Sequence, residues 1–439
     1  MSKMMTVNSQ PTLRERNPMP VDQSELGRRI RQAREACSMT QEEVAERLGV
    51  SRPTVAQIEL GNRAVSSLEL DKLAYLFARD IREFLADEFA ENEIVRALFR
   101  SHREASEEGF NEALRECIAL GKELTRLEEL LGMDRTFSGV AAYPLPAPKS
   151  KWEAIQSGAQ VAREERRRLG LGAAPVGDLV HMLEGQGIRT GTATLPDEVS
   201  GLMISDSRIG LFVVNNRNHS HAPQRQRFSW CHEYAHVLLD RHAVGLISRT
   251  TDRSNLVEVR ANSFAANFLM PEEGVAQFLA ALGKGAPSRV YAEVFDEAGV
   301  LAVDSRTEPG TQEIQLYDVV QLAHYFGVSV QSALYRLRNL RLITQSELEQ
   351  LKAQDEQGDS KEIARLLGLP EADSAEHGAE FTRRFLGLAL EALRREEISK
   401  GKFLGLARMV QVDEAGARSL LERSGLDEDE ADDVFAPAI

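Results

Sequence analysis

The sequence has few cysteines and no long apolar run. Its 439 residues include three cysteines, Cys37, Cys117 and Cys231, which lie far apart and form no Cys-x-x-Cys pair. Their spacing excludes a disulfide framework and a zinc knuckle built from cysteines. No apolar run approaches the roughly 18 residues that a membrane-spanning helix needs, and residues 1–20 lack the apolar core of a secretory signal. The sequence therefore predicts a cytoplasmic protein without a membrane partner.

Positive charge is also scarce over most of the chain. Lys and Arg number 53 against 68 Asp and Glu, which gives a formal net charge of -15. This balance argues against a protein coated all over with nucleic acid. The exception is the segment 26–63, which carries seven Arg and five Glu but no Lys or Asp. One N-terminal segment therefore stands apart electrostatically from the rest of the chain.

The length predicts two or three domains, and hydrophobic periodicity predicts that they are mainly helical. Strand-like runs occur at 188–194, 199–205 and 209–216, and from Gln224 onward helical patterns dominate again. The proline-rich segment 141–150 is typical of a linker. The predicted divisions are a disordered tail at 1–24, a helical unit at 25–88, a helical linker at 89–148, a central α+β domain at 149–284, a helical extension at 285–375 and a C-terminal helical region with an acidic tail at 376–439.

The predicted linker contains an apolar seam at alternating spacings of three and four residues. Such a seam could pair two chains as a short coiled coil, or it could pack the helix against its own domain. Both alternatives, the first of which predicts a homodimer, stay open at the level of sequence. The seam consists of Phe110, Ala113, Cys117, Leu120, Leu124, Leu127 and Leu131.

Residues 39–63, MTQEEVAERLGVSRPTVAQIELGNR, have the pattern of a helix-turn-helix. Thr40 can cap the first helix with Glu43 answering three residues later, and Gly49 can end that helix. Ser51 can cap a second helix with Pro53 in its first turn. A second helix set up in this way can enter the major groove of DNA.

Five side chains of this motif are candidates for DNA contact. On the second helix, Arg52, Thr54 and Gln57 point outward near the N-terminus, where they can read base edges. Gln41 and Arg63 are placed to hold phosphates. Residues 26–79 resemble the XRE (Cro/cI-type) helix-turn-helix family. The resemblance implies a five-helix fold that binds double-stranded operator DNA, usually as a dimer.

A second motif, His232-Glu233-Tyr234-Ala235-His236, lies in the helical run QRQRFSWCHEYAHVLLD. Residues four apart share one face of a helix, so His232 and His236 can bind one Zn²⁺. Glu233 is then the candidate general base of a metal-dependent hydrolase.

A catalytic zinc site needs a third protein ligand, and Glu258 is the best candidate. It opens the helical run EVRANSFAANFLMP, whose small residues allow close packing against a partner helix. Glu272 and Glu273 follow Pro271 and fit first-turn acids better than metal ligands. Weaker alternatives are Asp240 and His242, and His219 and His221 are expected at the rim of the cleft.

Residues 152–340 resemble the ImmA/IrrE family of zinc-dependent metallopeptidases. The resemblance rests on four blocks in the family's order: VSGLMISDSRIGLFVVNN, RQRFSWCHEYAHVLL, EVRANSFAANFLMP and FGVSVQSALYRL. It implies a gluzincin-like α+β fold with a small β-sheet, with Glu233 as general base and the metal ligands His232, His236 and Glu258. The metal is expected to be Zn²⁺, with Mn²⁺ as the alternative.

Together, the two resemblances predict a transcriptional regulator that carries a zinc metalloprotease domain. Its expected substrate is a partner protein, a repressor or an antitoxin, which it cleaves in a stress response. The alternative is a transcription factor whose peptidase-like domain senses a metal or a ligand and never turns over. Both alternatives keep the metal ligands, and an intact Glu233 favours activity.

Overall fold

A computed structural model of the chain describes residues 21–37, 39–77, 79, 81–86, 89, 108–133, 139–206, 209–217, 223–249, 252, 254–284, 290–296, 299–305, 312–370 and 375–426. Most of the predicted tail, part of the predicted linker and the acidic C-terminus lie outside these residues. The chain divides into two compact units, residues 1–104 and 105–439. No helix among the described residues is long and apolar enough to span a membrane.

The described part of the first unit contains five helices, the number that the XRE resemblance implies. Thr40 and Glu43 form the predicted capping box, and Gly49 ends the second helix in a left-handed conformation with φ 72°. Ser51 stands at the N-cap of the third helix but makes no capping bond to its backbone. The helices are α1 (Gln23–Ala36), α2 (Gln41–Leu48), α3 (Arg52–Glu59), α4 (Ser67–Leu76) and α5 (Ile81–Leu85).

The second unit begins with a long helix whose apolar seam is buried within that unit. Helix α6 (Glu108–Leu130) packs against strand β3 (Gly210–Asn216) and two C-terminal helices. All predicted seam residues except Leu131 are buried. Arg189 and Glu128 form a buried ion pair at 2.6 Å that ties the helix to the sheet. This burial supports the second alternative for the seam, which is packing within its own domain.

The central sheet has four strands in the order β1-β3-β2-β4. Strand β1 runs parallel to β3, and the other two pairings are antiparallel. The three strand-like runs of the sequence correspond to β1 (Arg189–Ala193), β2 (Val199–Asp206) and β3. A fourth strand, β4 (Gly245–Arg249), lies where helical patterns alone were predicted, so that prediction was incomplete.

Helix α9 (Pro223–Leu239) covers one face of the sheet, and helix α10 (Leu256–Leu269) packs on both α9 and α7 (Lys151–Arg168). Close approach of α7 to α10 depends on Gly158, since a Cβ atom there would lie 3.0 Å from Phe264 N. Apolar side chains from the sheet and from the helices packed on it form the core around these helices. The helical layer therefore holds α9 and α10 side by side.

The proline-rich segment predicted as a linker lies inside the second unit. The Tyr143 backbone N–H donates to the Leu238 carbonyl at 2.9 Å, and the Tyr143 hydroxyl donates to Glu165 at 2.8 Å. Arg241 donates to the carbonyl of Ala141. The segment is thus fastened to α9 and α7, and the predicted boundary near 148 falls within one compact unit.

The remaining elements are a separate hairpin and a series of short helices. The hairpin consists of β5 (Val290–Asp296) and β6 (Gly299–Ser305), which lie at the start of the segment 285–375 that was predicted as a helical extension; this part of the prediction was wrong. Mainly helical architecture with a small central sheet confirms the predicted fold class. The helices are α8 (Leu179–Gly185), α11 (Glu272–Ala281), α12 (Leu316–Phe326), α13 (Val330–Asn339), α14 (Gln345–Glu356), α15 (Asp359–Leu366), α16 (Ala375–Arg394), α17 (Lys400–Met409) and α18 (Glu414–Arg423).

Candidate metal centre

Two imidazoles project from one face of α9 into the interior. His232 and His236 lie one helical turn apart, and both are buried. Their Nε2 atoms are 3.1 Å apart. The spacing in the sequence predicted a shared face, and the structure places both Nε2 atoms where one ion can contact them.

Glu258 reaches the same point from the first turn of α10. Its Oε2 atom lies 3.0 Å from His232 Nε2, and its Oε1 atom lies 3.4 Å from His236 Nε2. Ligand atoms of a tetrahedral zinc ion, with bonds of about 2.0–2.1 Å, lie about 3.3 Å from one another. The three donors therefore fit a divalent ion. Among the described residues they form the one such cluster of His, Cys, Asp and Glu, and three protein ligands are typical of a catalytic site.

The second nitrogen of each imidazole is held by a side chain behind the cluster. His236 Nδ1 lies 2.9 Å from Asp240 Oδ2, and His232 Nδ1 lies 3.0 Å from Asn262 Oδ1. Carboxylate and amide oxygens accept hydrogen bonds, so each imidazole donates from Nδ1. When the imidazoles are neutral, as metal ligands must be, both Nε2 lone pairs are directed at the candidate metal position. Asp240, a weak candidate ligand in the sequence, thus lies behind His236 rather than in the cluster.

The carboxylate of Glu233 lies beside the cluster and is fully buried, with 0 % of its surface exposed. Neither of its oxygens makes a hydrogen bond within the described structure. It occupies a slot beneath strand β2, since a Cβ atom at Gly201 would lie 3.0 Å from Glu233 Oε1. Burial raises the pKa of Glu233, and the neighbouring His232 and His236, together with the nearby Ser248 hydroxyl, oppose that rise.

Two of the candidate ligands also have displaced pKa values. Burial by itself would lower the pKa of His236, but hydrogen bonds with Asp240 and Glu258 outweigh it and raise that pKa to about 10. Burial by itself would raise the pKa of Glu258, but its hydrogen bonds with His232 and His236 hold that pKa at about 2. A buried carboxylate held ionised between two imidazoles is well suited to a cation.

The other candidates of the sequence lie away from this cluster. Glu272 and Glu273 occupy the first turn of α11, as predicted for first-turn acids. His242 does not join the three donors. His219 and His221 lie outside the described residues.

Cys231, next to the first imidazole, is buried as a thiol. Burial raises its pKa to about 12, so it is not a thiolate at neutral pH.

The predicted base readers lie along the start of α3 in the first unit. Arg52 begins the helix and its side chain is exposed. The Thr54 hydroxyl lies 2.9 Å from the Ser51 hydroxyl, and Gln57 Oε1 accepts a 3.0 Å hydrogen bond from Asn62. The structure therefore places the three predicted readers on one short helix, with Arg52 and Thr54 in its first turn and Gln57 in its second half.

The two predicted phosphate contacts are both paired with carboxylates. Gln41 donates to Glu59 at 2.8 Å, and Arg34 binds the same carboxylate at 2.6 Å. Arg63 binds Glu69 at 2.8 Å, and 40 % of the Arg63 side chain is exposed. These partners fix the orientation of Gln41 and Arg63. Sequence patterns did not reveal Glu59 or Glu69 as partners, because Gln41 and Glu59 lie on different helices and Arg63 lies in the turn before α4.

Comparison with protein families gave two matches on this chain. Residues 30–84 match a model described as helix-turn-helix. Residues 184–338 match a peptidase model described as IrrE N-terminal-like domain. A comparison with curated proteins found no match. The chain thus combines a helix-turn-helix region and an IrrE N-terminal-like region in one polypeptide, which confirms the fusion predicted from its motifs.

Proposed function

We propose that the protein is a DNA-binding transcriptional regulator whose second unit is a zinc metallopeptidase. The observation that carries the proposal is the pairing of a three-donor cluster with a buried carboxylate. His232, His236 and Glu258 converge within 4.8 Å, and Glu233 lies beside them without a hydrogen bond. A buried carboxylate without a partner is costly to keep, which indicates a role in chemistry.

The cluster fits zinc in its chemistry as well as in its distances. Two imidazoles and one carboxylate form a donor set typical of catalytic zinc, and manganese, which prefers more oxygen ligands, is the alternative. When bound, the ion polarises the scissile carbonyl and makes a water molecule more acidic. His232, His236 and Glu258 would hold it.

Glu233 has the position and the environment of the general base. Its raised pKa favours proton uptake from water, and the same group can then return the proton to the leaving amine. The slot at Gly201 fixes the carboxylate at one point beside the cluster. Fixed distance between base and reacting water is a main source of rate in such sites.

Strand β4 supports a protein as the substrate. It is an outer strand of the sheet, and within the described residues it pairs with β2 alone. Ser248 of β4 lies directly opposite Gly201 in the register, close to Glu233. An extended peptide that adds to the outer edge of β4 would pass near the general base. We propose a repressor or an antitoxin, cleaved under stress, as this substrate.

The first unit would bring this activity to operator DNA. Arg52, Thr54 and Gln57 are proposed to read bases, and Gln41 and Arg63 to hold phosphates. Binding as a homodimer in the cytoplasm completes the proposal, because one such short helix supplies limited affinity.

The variant Glu233→Gln tests the proposed reaction. Gln keeps the size of Glu but cannot take up a proton, so we expect hydrolysis of the partner protein to fall by about 10²–10⁴-fold. Zinc content and operator binding should be unchanged. Hydrolysis is measured by mass spectrometry of candidate repressors incubated with the zinc-loaded protein.

Glu272→Gln is the matched control, since it removes an acid at the first turn of α11, outside the cluster. It should cleave like the wild type. If Glu233→Gln leaves the expression of regulated genes unchanged in cells, the sensor alternative replaces the peptidase.

A further inference from the structure

Behind the candidate metal centre, a buried arginine joins three parts of the second unit. Arg260 lies on α10 two residues after Glu258, and 1 % of its surface is exposed. Its Nη2 atom donates to Asp240 Oδ1 at 2.5 Å, and its Nη1 atom donates to the Pro146 carbonyl at 3.1 Å. The guanidinium therefore connects α10, the end of α9 and the proline-rich segment.

The same Asp240 accepts the Nδ1 hydrogen bond of His236 with its other oxygen, at 2.9 Å. An unbroken series of contacts thus runs from Pro146 through Arg260 and Asp240 to His236. Asp240 itself is buried, and a buried carboxylate that loses its cationic partner is left in an unfavourable environment. Since the hydrogen bond at Nδ1 sets the orientation of the His236 ring, a displaced Asp240 would no longer hold Nε2 toward the candidate metal position.

The charges behind the candidate metal site also connect Arg260 with Asp240. Arg260 and Asp240 form a buried ion pair behind His236, in which the guanidinium compensates the charge of the carboxylate. Without Arg260, this buried carboxylate would lose its cationic partner.

We propose that Arg260 is a positioning residue for the metal site, acting through Asp240 on the orientation of the His236 imidazole. The guanidinium also donates to the Pro146 carbonyl, and this second hydrogen bond fixes its orientation. This inference rests on the metal site of the proposed function, but it concerns metal binding rather than hydrolysis. A purely structural ion pair between α9 and α10 is the competing explanation.

The first test is the zinc affinity of the full-length variant Arg260→Met, measured by competition with a chromophoric chelator. Loss of a partner behind a metal ligand typically weakens binding by about 10–100-fold, and we expect that range. The absorption spectrum of the Co²⁺-loaded protein should change as well, because it reports the geometry of the ligands. Unchanged zinc affinity and an unchanged Co²⁺ spectrum would overturn the proposal.

Arg336→Met is the matched control for the loss of a buried guanidinium. Arg336 is buried on α13 and donates to the Met270 carbonyl at 2.9 Å. This variant should bind zinc with wild-type affinity. An equal loss of affinity in both variants would favour the structural explanation and sink the proposed role of Arg260.

A double-variant comparison tests whether Arg260 affects zinc affinity through Asp240. In Asp240→Asn the buried negative charge is absent, so Arg260→Met should weaken zinc binding far less in that background. Full additivity of the two losses would contradict the proposed path. If Arg260→Met does not fold, Arg260→Lys replaces it, since Lys keeps the charge but cannot reach two partners with a planar fork.

Zinc affinity is measured without turnover, so the outcomes can be told apart. A wild type that binds zinc but cleaves no protein would refute the proposed function and leave the role of Arg260 intact. A wild type that cleaves, with no effect of Arg260→Met on zinc, would refute only this inference.

Discussion

At the scale of single residues, the position of Glu233 depends on the absence of a side chain at Gly201 in strand β2. Gly201 faces α9, and a Cβ atom there would lie 2.9 Å from the Val214 carbonyl oxygen and 3.0 Å from Glu233 Oε1. The carbonyl belongs to the neighbouring strand and cannot move away, so Glu233 must. The proposed general base is therefore placed by the sheet as much as by its own helix.

Gly201→Ala tests this dependence. We expect hydrolysis to fall by roughly 10²-fold, because displacement of a reacting group by about 1 Å has that effect. Zinc affinity should stay near the wild-type value, since the three ligands lie on α9 and α10. Gly177→Ala is the control, because a Cβ atom at Gly177 would meet no atom within 4 Å. Wild-type hydrolysis by Gly201→Ala would show that the slot does not fix Glu233.

The residues of the site differ in how far the sequence reveals them. A fixed helical spacing predicted that His232 and His236 share a face, and a family resemblance pointed to Glu258. Asn262, Arg260 and the slot glycine were not predicted. Their contacts join elements that are distant in the sequence. Local hydrophobic periodicity does not indicate which side chain of one helix contacts the end of another helix.

At the scale of elements, the carboxylate ligand depends on how closely α7 approaches α10. Gly158 lies against the backbone of α10, 3.0 Å from Phe264 N when a Cβ atom is added. Since Glu258 opens α10, any shift of this helix moves the ligand relative to α9. Gly158 therefore affects both the stability of the unit and its metal site.

We predict that Gly158→Ala destabilises the second unit by about 1–3 kcal/mol, the usual effect of overpacking a tight contact. Zinc should bind more weakly in the same variant. Urea denaturation followed by circular dichroism measures the stability. The reference variant is Gly185→Ala on α8, where a Cβ atom meets nothing within 4 Å and little change is expected. Equal stability of the two variants would contradict the argument.

Helices and strands were predictable where the sequence has a single hydrophobic periodicity and implies a single packing partner. Strands β1, β2 and β3 agree with their predicted positions to within two residues. Strand β4 was missed because it is five residues long and follows a polar turn with no alternating pattern. The seam of α6 illustrates a different limit. Burial against a second chain and burial against the sheet require the same apolar spacing, so the sequence left both open.

At the scale of the whole molecule, the predicted DNA readers and the candidate metal ligands belong to different compact units. Arg52 is exposed at the start of α3, whereas the metal donors are buried in residues 105–439. We therefore expect substitutions in one set to leave the chemistry of the other unchanged.

Arg52→Ala should weaken operator binding by about 1–3 kcal/mol if this side chain reads a base, and the salt dependence should change little. Fluorescence anisotropy with labelled operator DNA measures the loss, and protein hydrolysis should remain at the wild-type rate. Arg31→Ala is the comparison, because Arg31 is exposed on α1 and pairs with Glu35 rather than facing out from α3. Equal losses in both variants would indicate a general electrostatic effect.

The length of the chain predicted more than one domain, and the structure has two compact units. Composition predicted a division near residue 148, whereas the two compact units comprise residues 1–104 and 105–439. Proline-rich stretches without periodicity occur both in free linkers and in extended segments that pack on a domain surface. The hydrogen bonds of Tyr143 and the acceptors that this segment offers to Arg241 and Arg260 distinguish the two cases, and those contacts are not visible in local sequence.

The attachment of this segment decides where the polypeptide can be shortened. A truncated protein that begins at residue 149 would contain every candidate metal ligand, yet it would remove the carbonyl groups of Ala141 and Pro146 from Arg241 and Arg260. Two buried or half-buried guanidinium groups would lose acceptors, one of them directly behind His236. Domain dissection should therefore cut upstream of α6, which packs in the same unit, and a fragment cut at the proline-rich stretch would give misleadingly weak zinc binding.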